Sequence, residues 1–248
     1  MTYRVRPLKC GEVLAPGPAV YLLRDYEQWY PLSVYIWLIE GGGRRVLVDT
    51  GPGDLAEINA PREPHRRWHA EPILAVLERA GVRPEEIDTV VLSHLHHDHA
   101  GNVGLFREAT VILAQREWEF VLNPPHPALA PHPLFPKQVI DYLGSLKSKR
   151  LCLVRSGHTV VPGIRISVLG AHTPGSLAVE VASAAGLGRV LIAGDVIFTY
   201  RNFKDMIPVG TLLNVFEWYA AWHQLAASRA TVLPSHDPEI GLRWRDAR

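Results

Sequence analysis

The chain has 248 residues, 47% hydrophobic and 21% charged, with a formal net charge of +1. That length suits one large α/β domain with a substantial core, and a balance so near neutrality gives neither nucleic acid nor an anionic membrane an electrostatic hold. Two cysteines, Cys10 and Cys152, are too few for a disulfide framework and are expected to be structural buried thiols. Met1 to Pro7 lacks the apolar run of a secretory signal, and no apolar stretch approaches the roughly 20 residues that span a bilayer. The expectation is a soluble cytoplasmic protein with no membrane partner.

In chain order, Val34 to Glu40 and Arg45 to Asp49 are β-prone runs flanking Gly41-Gly42-Gly43, a hairpin pattern. Pro72 to Ala80 carries apolar residues at helical spacing and stops at Gly81. Ile87 to Leu92 has a buried-strand pattern, Val111 to Ala114 is another strand, and Arg116 to Leu122 a short helix. The spaced prolines between Asn123 and Pro136 forbid regular structure and predict a loop or lid. Arg150 to Leu169 alternates around Pro162-Gly163, and Leu177 to Val181 and Arg189 to Ala193 continue the strands. Phe216 to Ser228 has helical spacing, Thr231 to Pro234 is a last short strand, and no linker divides residues 1–248 into two domains.

His94-Leu95-His96-His97-Asp98-His99 follows the strand at Ile87 to Leu92 directly, where sites in α/β sheets tend to lie. In an extended segment His94 and His96 point the same way and can reach one ion. Asp98 and His99 come where the chain should enter a helix running through Ala100 to Leu105, aimed at a neighbouring ion. Four residues cannot complete two coordination shells. His172, Asp195 and His236 each stand just beyond a strand among small or turn-forming residues that let the backbone come close to an ion.

This ordered set resembles the metallo-β-lactamase superfamily, whose H-x-H-x-D-H motif matches His94, His96, Asp98 and His99, with further ligands at His172, Asp195 and His236. The resemblance runs from Leu47-Val48-Asp49-Thr50-Gly51 to Ser235-His236-Asp237. It implies a four-layer αβ/βα sandwich, two mixed sheets packed together with helices outside. It also implies two divalent metal ions per chain, one held by His94, His96 and His172, the other by Asp98, His99 and His236, with Asp195 between them. Asp49 matches a carboxylate that orients the ligands from behind. His97, His65, His69, His126, His132, His158 and His223 are left with surface or structural roles. A ligand set of imidazoles and carboxylates without thiolate suits zinc and also tolerates manganese, iron or cobalt.

Two adjacent ions lower the pKa of a shared water and polarise a carbonyl or phosphoryl oxygen, so metal-bridging hydroxide attack on an ester bond is the expected chemistry. Within the superfamily the chain looks most similar to N-acyl homoserine lactonases, at residues 47–51, 93–102 and Asp195 with Asn202-Phe203. The implied substrate is a small-molecule lactone or ester. One departure stands out: Phe198 occupies the position three residues after Asp195 where such lactonases often carry tyrosine, and it cannot donate a hydrogen bond. Tyr200 is the candidate replacement, and Asp98 the candidate proton shuttle to the leaving alkoxide. Trp29, Tyr30, Phe106, Trp118 and Phe135 are candidates for an apolar acyl pocket, and Trp29-Tyr30 with residues 123–136 for a homodimer contact or a lid. A glyoxalase II thioesterase would add a helical C-terminal region, a nuclease a basic stripe, and a flavo-diiron reductase a flavin domain. The remaining alternatives are another ester or thioester hydrolase and a non-catalytic metal-binding protein.

Overall fold

A computed structural model describes residues 1–146 and 150–243; residues 147–149 and 244–248 of the expected domain lie outside the described residues. The strands are β1 (Arg4–Pro16), β2 (Trp29–Gly41), β3 (Arg44–Val48), β4 (His69–Ala70), β5 (Thr89–Val91) and β6 (Thr110–Ala114), followed by β7 (Leu151–Val154), β8 (His158–Val161), β9 (Ile164–Val168), β10 (Leu177–Ala184), β11 (Gly188–Ile192) and β12 (Thr231–Leu233). They form a seven-stranded sheet in the order β4-β1-β2-β3-β5-β6-β7 and a five-stranded sheet in the order β12-β11-β10-β9-β8. Both sheets are mixed: β3, β5, β6 and β7 run parallel, as do β11 and β12, and the other pairs are antiparallel. The β2–β3 hairpin turns at Gly42 and Gly43, whose positive φ of 59° and 73° suits a tight primed turn.

Side chains alternate across each strand, so a strand buried on both faces feeds two cores. In β2, Tyr35, Trp37 and Ile39 face the second sheet and meet Ile166, Val179 and Ile192, whereas Val34, Ile36 and Leu38 face the other way. That outer face is covered by α3 (Ile73–Arg79), α5 (Gln115–Leu122) and α6 (Lys137–Ser145), through Val76, Leu77, Phe120, Val139 and Leu143. The far face of the five-stranded sheet, at Ala178, Leu191 and Val232, is covered by Trp218, Ala221 and Leu225 of α8 (Val215–Ala227). The four-layer αβ/βα sandwich follows from this double burial.

The remaining helices are short: α1 (Gly17–Val20), α2 (Ala56–Asn59), α4 (His97–Ala100), α7 (Tyr200–Lys204) and α9 (Glu239–Arg243). The helix expected through Ala100 to Leu105 is replaced by α4, one turn earlier, and a 3-10 turn at Val103–Leu105. Gly101 keeps helical dihedrals as the C-cap of α4, and the Gly53 backbone packs against it so closely that a Cβ there would clash. β1 escapes a pattern search because Arg6, Pro7, Lys9 and Gly11 interrupt its apolar alternation. Cys10 is buried and Cys152 half-buried, both free. Among the described residues no helix is long and apolar enough to cross a membrane.

Leu47 has no exposed surface and sits between β2, β5 and α3 in the outer core. Leu47→Ala should cost about 2–5 kcal/mol through lost burial and a residual cavity. Urea denaturation should show a lower midpoint with an unchanged slope; an unchanged midpoint would contradict this packing.

Candidate metal centre

The candidate ligands all lie just beyond strand ends, on loops or short helical turns. His94 and His96 follow β5, Asp98 and His99 lie on α4, His172 joins β9 to β10, and Asp195 and His236 follow β11 and β12. β3 and β5 run parallel in one sheet and β11 and β12 in the other, and the residues beyond the C-terminal ends of β5, β11 and β12 meet at one edge of the sandwich. Every one of these seven side chains is buried.

They gather into two groups, His94, His96, His172 and Asp195 on one side and Asp98, His99 and His236 on the other, each with candidate ligand atoms within 4.8 Å of one another. Asp195 faces both. Its Oδ2 lies 3.7 Å from His94 Nε2 and 3.4 Å from His172 Nε2, and its Oδ1 lies 3.1 Å from both His99 Nε2 and His236 Nε2. In the first group His172 Nε2 is 3.0 Å from His96 Nδ1. In the second, Asp98 Oδ2 is 3.4 Å from His99 Nε2 and 3.7 Å from His236 Nε2. Ligands of a tetrahedral ion with bonds of about 2.0–2.1 Å stand roughly 3.3 Å apart, so the spacing fits an ion in each group. His94 Nε2, His99 Nε2 and Asp195 Oδ1 are buried without a hydrogen-bond partner. Polar atoms left so are costly unless something else satisfies them, and two metal ions do.

The protonation pattern suits ligation. Burial, reinforced by the neighbouring imidazoles, holds His94 and His96 well below the ordinary histidine range, so they present neutral lone pairs. Burial also opposes charge on His99, but Asp195, Asp98 and Asp49 outweigh it and raise its pKa. Burial alone would favour the protonated forms of Asp98 and Asp195; the imidazoles around them, His99 foremost, pull both well below the usual carboxylate range. The His236 pKa is raised in the same way, burial opposing its charge while Asp195 and Asp98 favour it.

A shell of hydrogen bonds aims the rings. His99 Nδ1 donates to Asp49 Oδ2 at 2.8 Å and His236 Nδ1 donates to the Ser33 carbonyl at 2.9 Å, which leaves each Nε2 free for an ion. Asp49 also accepts from Ser93 N and Ser93 Oγ at 2.7 and 2.8 Å, and holds a left-handed φ of 62°. Aspartate is among the non-glycine residues that adopt this conformation most readily, and here its hydrogen bonds to His99 and Ser93 hold it. Asn102 donates through Nδ2 to the carbonyls of Thr50, Gly51 and Pro52, tying α4 to the loop after β3.

Sequence reasoning missed Ser93 and, above all, Glu117. Glu117 is fully buried and its carboxylate accepts from Leu95 N and Gly175 N, both at 3.0 Å, bracing the His94–His96 loop against the His172 loop. Burial raises its pKa despite those donors. An acid in the first turn of a helix reads as an ordinary exposed partner of the helix dipole, so the sequence carries no mark of this role.

A cleft of about 230 Å³ opens onto both groups, and Asp98, His172, Asp195 and His236 line it. Its walls are mainly apolar, with Val13, Leu32, Ile58, Trp68, Leu134 and Phe198. A second opening reaches His96 and His172 between Phe135 and Leu212. Of the aromatic residues expected to form an acyl pocket, Phe135 lies at this second opening, Phe106 and Trp118 belong to the outer core, Trp29 stacks under Arg66, and Tyr30 donates to Asp25. The proline-containing passage supplies Leu134 and Phe135 to the clefts. His97 is buried, edge-on to Trp68, and lines the main cleft.

Tyr200 is not brought to the centre. Its ring packs against the inter-sheet core beneath the Arg243 guanidinium, 4.5 Å away, and its phenol, pushed up to about 12 by burial, is absent from both cleft walls. The reason is local: Thr199 caps α7 with Oγ1 toward Asn202, and Asp237 accepts from Tyr200 N, so the backbone turns away two residues after Phe198. Phe198 itself stays at the site, its ring 5.0 Å from His236 and 5.6 Å from His172.

A centre for two metal ions, set at one edge of an αβ/βα sandwich and opening into an apolar cleft, defines a metallohydrolase architecture. Residues 29–236 match the model of the metallo-beta-lactamase superfamily, and the chain belongs to that superfamily. Among its relatives is an N-acyl homoserine lactonase of Bacillus cereus, 29% identical over 188 residues that cover 71% of this chain and 69% of the relative. The N-acyl homoserine lactonase AiiB of Agrobacterium fabrum is 29% identical over 226 residues, covering 84% of this chain and 80% of its own. A solved structure of a Bacillus thuringiensis AiiA variant with N-decanoyl-L-homoserine at its active site superposes with a TM-score of 0.83 at 22% identity, over 99% of this chain and 98% of that one. This last likeness establishes the fold.

Asp49→Ala removes the acceptor that orients His99 and should weaken metal binding about 10–100-fold in a competition titration with a chromogenic chelator. Unchanged affinity would contradict the orienting role. Glu117→Ala strands two backbone donors at about 1–3 kcal/mol each, and thermal unfolding should report that loss even in metal-free protein.

Proposed function

We propose that this protein is a dinuclear metal-dependent hydrolase that opens the lactone ring of an N-acyl homoserine lactone or a closely similar lactone. The observation that carries the reading is Asp195, one buried carboxylate with an oxygen turned to each histidine group. The relatives named N-acyl homoserine lactonase support the substrate class. His94, His96 and His172 would hold one ion, Asp98, His99 and His236 the other, and Asp195 both. Two divalent ions supply an activated water and a polarised carbonyl. Zinc is the proposed metal, supported by five imidazoles and two carboxylates with no thiolate.

The chain's own residues contribute positioning and proton transfer. Asp98 lies at the cleft wall beside His99 and His236, and its carboxylate is the proposed carrier of a proton to the leaving alkoxide. Phe198 stands on the same wall and offers no hydrogen bond, and Tyr200 is turned into the inter-sheet core, so in our reading neither side chain donates to the substrate. Ile58, Trp68 and Leu134 offer the acyl chain an apolar bed. As parts of the same reading we place the protein in the cytoplasm, supported by two unpaired cysteines, and keep a homodimer through the Trp29-Tyr30 edge.

A pH-indicator assay over lactones of graded acyl length, with linear esters and thioesters alongside, tests this. Lactones should turn over fastest, and His96→Ala should lose both the first group's ion and turnover. Faster cleavage of linear esters or thioesters would move the assignment to another hydrolase, and two firmly held ions with no hydrolysis of any substrate would leave a metal-binding protein.

A further inference from the structure

Beyond the metal ligands, the wall of the main cleft carries three polar side chains, His97, Thr211 and Arg62, of which Arg62 is the cation. It lies on the segment between α2 and β4 and shares the cleft wall with Ile58, Trp68 and His97. Arg62 is half-buried, and burial lowers its pKa with no carboxylate offsetting that effect. Its Nη1 donates only to the Arg66 carbonyl, at 3.3 Å. The same segment carries Arg66, whose guanidinium lies over the Trp29 ring at 4.0 Å, and Arg67, which donates to the Arg62 carbonyl at 3.5 Å. Among the described residues none of these three arginines has an ion-pair partner, and the nearby acid Glu57 is engaged by His132.

In a chain whose net charge is +1, Arg62 is the one of these three guanidiniums on the main cleft wall, where it makes a local positive field. A guanidinium taken partly out of water and left without an anion is unfavourable unless a ligand completes it. Its planar fork matches a carboxylate through two parallel N–H···O bonds. The apolar residues Ile58, Trp68 and Leu134 share that cleft wall with the Arg62 guanidinium and the metal ligands.

We infer that Arg62 is a specificity-determining residue that selects substrates whose acyl substituent carries a carboxylate at its far end, bound by the guanidinium while the ring sits at the metal centre. This rests on the lactonase reading for the ring, while the anion site stands on the cleft itself.

Two lactams of the parent ring, inert to hydrolysis and bearing acyl chains of equal length, one ending in methyl and the other in carboxylate, serve as probes for calorimetry on metal-loaded protein. Wild type should bind the carboxylate probe at least about ten-fold more tightly, as a charge-assisted pair implies. The gap should close in Arg62→Met, narrow in Arg62→Lys, and shrink with added salt. Equal binding in wild type overturns the inference. So does a preference that survives Arg62→Met, which would place the carboxylate on the metal ions instead. Arg62→Met should melt with the wild-type midpoint and retain its metal content. Turnover of the matching lactones is read separately, so failure to open any ring counts against the lactonase reading and leaves the binding comparison intact.

Discussion

Asp195 is the interaction on which the rest of the molecule depends. A carboxylate buried to this degree costs several kcal/mol unless opposing charge and hydrogen bonds surround it. Here it meets imidazoles from β5, α4, the β9–β10 loop and β12, that is, from both sheets. The two halves of the sandwich are held together at their common edge by groups that strongly prefer an ion between them. The inter-sheet core around Trp37, Val179 and Ile192 sets the distance across which those groups meet.

The bracing around that edge explains how loop residues reach the precision a metal site requires. Asp49 fixes His99 and Ser93 together, Ser33 fixes His236 through its carbonyl, and Glu117 clamps the two loops that bring His96 and His172 within 3.0 Å. Each tie runs between elements distant in sequence, so the site is only as ordered as the fold. Chemistry and specificity are also separated in space: the ligands come from strand ends, whereas the cleft wall comes from β1, α2 and the segments around Trp68 and Leu134. Such a wall can change its preferred substrate without disturbing the ions.

Much of this was legible in the sequence. The spacing of His94, His96, Asp98 and His99 constrains a short loop, and His172, Asp195 and His236 each follow an apolar run, so local pattern and topology converge on one edge. The hairpin at Gly42-Gly43, the β10–β11 pair and α8 were legible for the same reason, strong periodicity bounded by turn residues. What stayed hidden is non-local. β1 draws its stability from pairing with β2 along its whole length rather than from its own interrupted pattern. Glu117 resembles a surface acid until its partners, 22 and 58 residues away, are seen. Tyr200 sits two residues from Phe198, but the capped turn at Thr199 sends it into the core, a matter of backbone direction that spacing does not encode.

The central claim is that Asp195 joins two ions, and anomalous diffraction from crystals of the metal-loaded protein tests it most directly. The account predicts two peaks of comparable height about 3.5–4 Å apart, one among His94, His96 and His172 and one among Asp98, His99 and His236, with an Asp195 oxygen on each. A single peak, or two that leave Asp195 or His236 unliganded, would contradict it.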